Sequence, residues 1–98
     1  MKVAGSSMLP TLQPGDRLAV RPPRPGEPRP RQIVVVVTPE REIVKRVGAR
    51  APDPGTVWLE GDNPAASTDS RATGPVPRER IVGVARARYW PRPRRFRP

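Results

Sequence analysis

A small, mostly β domain with an antiparallel, barrel-like arrangement of strands is the fold class this sequence predicts. Three observations carry the prediction. The 98 residues include 16 prolines and 8 glycines, which break helices and supply turns. The apolar runs, such as "QIVVVV" at 32–37, are short and β-branched. Turn signals separate these runs and leave room for about five to seven strands. The length bounds the chain to one domain, placed at residues 1–90, with 91–98 as a basic, disordered tail.

Residues 3–9 predict a short strand running into a bend. "MLPTL" predicts one helical turn after Ser7, because a proline near the first turn lacks an N–H that would be unpaired anyway. "RLAV" at 17–20 predicts a strand with Leu18 and Val20 on one side. "RPPRPGEPRPR" at 21–31 reads as an extended, floppy basic loop, since proline removes ladder donors. "QIVVVV" suits a strand covered on both faces. "TPER" at 38–41 turns the chain, and "EIVKRV" at 42–47 pairs back as its hairpin partner. "TVWLE" at 56–60 is the next strand, "GDNPAASTDSR" at 61–71 a polar loop, and "RIVGVARARYW" at 80–90 the last strand, with Gly83 as a bulge or bend.

Composition narrows the chemistry. The net charge is +10, and only Lys2 and Lys45 among the 19 basic residues are lysines. Such a balance fits a solvated arginine-rich surface, or a non-catalytic β module holding nucleic acid or an anionic membrane surface. The four aromatics are not interleaved with basic residues as a stacking platform, so no specific nucleic acid is expected. The absence of cysteine and histidine excludes a Ser-His-Asp triad and a Cys-His pair, and removes the usual zinc ligands. No cofactor and no metal are expected. No apolar run reaches the ~18 residues of a membrane span, so a cytoplasmic or otherwise soluble chain is expected, with membrane association only through an N-terminal anchor missing from it.

Without histidine, a nucleophilic serine needs another base. A lysine serves when burial strips its proton, because desolvation penalises the ammonium form. On a strand, Ile43, Lys45 and Val47 share one face, which aims Lys45 toward apolar surroundings. Arginine cannot lose its proton in a protein, so a lysine in so arginine-rich a chain is suggestive. A lysine whose stem lies on an edge strand and whose amine stays wet is the other reading of that position.

"GSSMLPTLQPGD" at 5–16, "IVKRV" at 43–47 and "GDNPAASTDSR" at 61–71 occur in this order. Together they resemble the three signature boxes of the type I signal peptidase family, the serine/lysine endopeptidases. The resemblance implies Ser7 as nucleophile, Lys45 as general base, and Ser67 as the serine that orients the lysine. It implies Asp69 and Arg71 as an ion pair bracing the Ser67 loop, and Gly5 in the oxyanion region, where some members carry a serine. Met8 would anchor the bend beside the bond being cut. Singly, Ser67 also fits a turn cap, Asp69 with Arg71 a surface ion pair, and Met8 an ordinary core residue. The implied partner is a precursor protein or peptide, cleaved near its N-terminus through an acyl-enzyme. The small size and the closing segment at 74–94 resemble the compact branch that matures nickel-type superoxide dismutase.

Overall fold

The computed structural model describes residues 1–49 and 53–96. The fold is mostly β and antiparallel, as the sequence predicts. Its strands are β1 (Arg17–Arg21), β2 (Ile33–Val37), β3 (Glu42–Val47), β4 (Thr56–Val57), β5 (Leu59–Glu60), β6 (Val76–Pro77), β7 (Ile81–Trp90) and β8 (Arg94–Arg95). The main sheet runs β1-β7-β2-β3-β5, with β8 attached to β7, and β4 and β6 form a separate ribbon. Among the described residues no helix is long and apolar enough to cross a membrane.

The valine run explains the layering. In β2, Ile33 belongs to one buried cluster while Val34 and Val36 belong to another, because alternate side chains leave opposite faces of a strand. The same split separates Val44 from Val47 in β3 and Ala85 from Val84 in β7. The first face is covered by the N-terminal segment through Val3, Met8 and Leu12. The second is covered by Val57 of β4, Leu59 of β5 and Val76 of β6. A sheet buried on both faces is why these strands read as continuous apolar runs instead of alternating ones.

Several local expectations are corrected. Leu18 is buried but Val20 is exposed, because register shifts on either side of Leu18–Ala19 break the two-residue alternation of β1. The run 56–60 is two short strands and not one: β4 pairs β6, whereas β5 pairs β3. Trp58, between them, packs over Gly48, where a Cβ would meet the indole at 2.7 Å. The bend around Ser7 closes with a Leu9 N–H to Ser6 C=O bond of 3.2 Å and a Leu12 N–H to Met8 C=O bond of 2.9 Å, and forms no helix. The basic loop is held in place: Glu27 accepts from Arg21 at 2.6 and 2.8 Å, from the Arg24 N–H at 2.8 Å and from Gln32 at 2.8 Å.

The tail also departs from its expected disorder. Arg94 and Arg95 pair with Arg88 and Ala87 of β7, the Phe96 N–H donates to Arg86, and Phe96 packs against the first cluster. One partly buried aromatic and a free stretch of β7 are enough to fold the chain back. Residues 97 and 98 lie outside the described part. Gly83 fits its expected bulge: Val35 pairs Gly83 and Val36 pairs Ile81, leaving Val82 extra.

Candidate active site

The N-terminal bend is anchored from below. Met8 and Leu12 are buried in the first cluster, and Val3 and Asp16 tie the ends of the segment with a 2.8 Å backbone bond. Asp16 also accepts from the Gln13 N–H at 2.9 Å and from Arg88 at 3.1 Å. Met8, expected beside the scissile bond, therefore supports the bend from the core instead of lining the cleft. Gly5 has φ +77°, a backbone conformation that favours glycine, and a Cβ there would meet open space.

The 61–71 loop clamps the bend from the side. The Asn63 N–H donates to the Ser7 carbonyl at 2.8 Å, and its side-chain amide donates to the Ser6 carbonyl at 3.1 Å. Thr11 donates to Asp62 at 2.5 Å, and Asp62 also receives the Arg46 fork at 2.7 and 3.0 Å. Burial disfavours the Asp62 charge, but Arg46 and Thr11 outweigh it and hold the carboxyl below its ordinary range. Gly61 lies where a Cβ would overlap both Ser67 and the Ser7 carbonyl oxygen. Sequence reasoning missed Gly61, Asp62 and Asn63 as contributors. The signal was the tripeptide "GDN" opening the third box.

Lys45 is 5% exposed, opposite Val34 in the ladder and between Val44 and Arg46 in β3. Its Nζ donates to Ser67 Oγ at 2.8 Å, and Ser67 Oγ donates to Asp69 Oδ2 at 2.7 Å. Asp69 is gripped by Arg71 through Nη2 at 2.6 Å and Nε at 3.1 Å, and by the Gly61 N–H at 2.8 Å. The Arg71 hydrogen bonds, aided by the Gly61 N–H and the Ser67 hydroxyl and opposed by burial, hold the Asp69 carboxyl well below the usual carboxylate range. Burial pushes the Lys45 amine down; the Asp69 charge opposes this, and the Arg71 and Arg41 charges add to it.

Lys45, Ser67, Asp69 and Arg71 thus form one bonded chain. Ser7, Gly5 and Lys45 line one cleft of about 210 Å³, together with Arg41 to Val44, Ala66 and Thr68. β3 pairs β5 only through Arg46 and Val47, so the edge from Glu42 to Lys45 facing this cleft carries no strand among the described residues. The cleft offers a hydroxyl, a desolvated amine and an open strand edge, the parts that acyl transfer from an extended peptide requires. Among the described residues no three His, Cys, Asp or Glu side chains cluster as a metal site.

The family described as signal peptidase, peptidase S26, matches residues 1–54 and 53–90. The mitochondrial inner membrane protease subunit 2 of Danio rerio is 35% identical over 85 residues, covering 82% of this chain and 45% of its own length. The mitochondrial ATP-independent inner membrane protease subunit 1a of Arabidopsis thaliana is 60% identical over 37 residues, covering 38% of this chain and 22% of its own. The Homo sapiens mitochondrial inner membrane protease subunit 1 is 54% identical over 37 residues, with the same two coverages of 38% and 22%. The chain spans less than half the length of these relatives.

Proposed function

Because the chain belongs to the S26 signal peptidase family, we propose that it is a serine endopeptidase that cleaves a precursor protein near its N-terminus through a Ser7–Lys45 dyad. The observation that carries this reading is the buried amine of Lys45 on a serine whose own proton is already given to Asp69. Ser67 has one proton. With that proton bound to an ionised carboxylate, Ser67 can only accept from Lys45. One amine N–H is thereby pinned, and the lone pair of the neutral amine is left for the cleft.

The precursor lies as an extended strand along the open edge of β3. Neutral Lys45 takes the Ser7 proton as Oγ attacks the scissile carbonyl, and a tetrahedral oxyanion forms. Its oxygen rests on backbone N–H donors that include that of Ser7, since Gly5 has no hydroxyl to offer. The C–N bond then breaks, Lys45 gives the proton to the leaving amine, and an acyl-Ser7 ester remains. Water, deprotonated by the same amine, hydrolyses the ester and regenerates Ser7. The precursor we assign has a removable N-terminal extension. The resemblance of the closing segment at 74–94 favours the nickel-type superoxide dismutase precursor as that substrate.

The test is cleavage of a precursor peptide by the purified protein, with the new N-terminus read by mass spectrometry. Ser7→Ala and Lys45→Arg each lower the rate by roughly 10³-fold or more while the circular dichroism spectrum is kept. Full activity in Lys45→Arg would exclude a neutral-amine base.

A further inference from the structure

No aspartate or glutamate follows Glu79 in this chain. Asp16, Glu27, Asp62 and Asp69 are bound to Arg88, Arg21, Arg46 and Arg71 respectively. Neither arginine of β8 takes part in these pairs. A cleft of about 420 Å³ lies between β8 and the approach to β2, with Arg31, Arg46, Arg94 and Arg95 around Ile33 and Phe96. Arg46 is occupied by Asp62, whereas Arg31, Arg94 and Arg95 are exposed and have no ion-pair partner among the described residues. A second cleft of about 490 Å³ shares Arg95 and Phe96 with it and adds Arg24 and Arg86. β8 is bonded to β7 along one edge, and its other edge bears no strand among the described residues.

We propose that the cleft beside β8 binds an extended acidic peptide segment of another protein, paired to the open edge of β8 with its carboxylates on Arg31, Arg94 and Arg95. The open edge presents N–H and C=O groups at strand spacing, which a polypeptide backbone completes. Guanidinium forks match carboxylates in two-point geometry. Ile33 and Phe96 supply an apolar floor on which the methylene stems of the bound acidic side chains rest. The site is concave, so a flat bilayer reaches its rim and not its floor, and one half-buried aromatic does not make a platform for stacked bases. The lining of this cleft shares no residue with the Ser7–Lys45 cleft, so the proposal stands apart from the peptidase reading.

The experiment is fluorescence anisotropy with a labelled octapeptide of alternating Glu and Val, run on the Ser7→Ala protein so that no cleavage intervenes. The expected result is saturable binding that weakens with salt and is at least roughly tenfold tighter than for a Gln/Val octapeptide. Arg94→Glu and Arg95→Glu each weaken it by roughly tenfold, while Arg80→Glu, the same charge change outside the cleft, alters it less than about twofold. Methylating alternate backbone amides of the peptide abolishes binding. The proposal is overturned if Arg80→Glu weakens binding as much as Arg94→Glu, or if the methylated peptide binds equally well. It is also overturned if oligothymidylate of equal charge, or anionic phosphatidylglycerol vesicles, outcompete the peptide.

Discussion

A lysine that works as a base needs surroundings that penalise its ammonium more than they reward it. Around Lys45, burial and the charges of Arg41 and Arg71 press toward the neutral amine, and Asp69 presses the other way. The sign for each partner follows. Removing the Arg41 charge relieves one depressing influence, so Arg41→Gln moves the acid limb of the kcat/KM–pH profile to higher pH. Asp69→Asn removes the charge that favours the ammonium, so it moves the same limb to lower pH. It also frees the Ser67 proton, so its plateau rate falls by roughly tenfold or more while that of Arg41→Gln is kept. Limbs moving in the opposite senses would exclude Lys45 as the titrating base. Ser67, Asp69 and Arg71 were legible only through the resemblance of "GDNPAASTDSR" to a family box; read singly they fit a turn cap and a surface ion pair. The role of Asn63 was not, although the tripeptide "GDN" marked its position, because its partners are the main-chain carbonyls of Ser6 and Ser7, which leave no mark in residue type.

At the level of elements, the 61–71 loop is the part most changed between sequence and structure. Its polar composition reads as a plain loop, yet it holds a 3₁₀ turn at Pro64–Ala66, a helical turn at Ser70–Thr73, and bonds to the bend, to β3 and to β5. Gly61 is its tightest point, with Ser67 on one side and the Ser7 carbonyl on the other. Gly61→Ala pushes these two apart. We expect a rate loss of roughly 10²-fold with the fold retained, since small misplacements of reacting groups cost that much. The checks are steady-state kinetics beside a urea melt; an unchanged rate would show that the loop does not set the Ser7 position. The strands were more legible than the loops. β2, β3 and β7 lie within about a residue of their expected bounds because β-branched runs and the turns between them are local signals. The shifts in β1 and the division at Trp58 were not legible, because each depends on which strand lies alongside.

For the molecule as a whole, acid is the condition to which this fold is most exposed. Glu27, Asp62 and Asp69 all have folded pKa values below their ordinary ones. For Glu27 the causes are the Arg21 fork, then Gln32 and the Arg24 N–H. A carboxyl depressed in this way adds stability that is present above its unfolded pKa and lost as pH falls through the folded one. Tm is therefore expected to hold from neutrality to about pH 4 and to decline steadily below it. Glu27→Gln lowers the neutral Tm and makes the decline shallower, because one linked proton is gone. Differential scanning calorimetry across that range reads both, and a parallel decline in the variant would remove Glu27 from the account.

The strand order β1-β7-β2 has a consequence for how the molecule is completed. β1 and β2 are joined by the 22–32 connection that Glu27 fastens, yet the strand between them arrives from the far end of the chain. A nascent chain made only as far as Arg80 holds β1 on one side and β2 with β3 on the other, without the strand that joins them. The wall beneath Met8 and Leu12 then still lacks Ala85. The bend at Ser7 is made before β7 and gains its full support only when β7 follows, so any peptidase activity is expected only once β7 is in place.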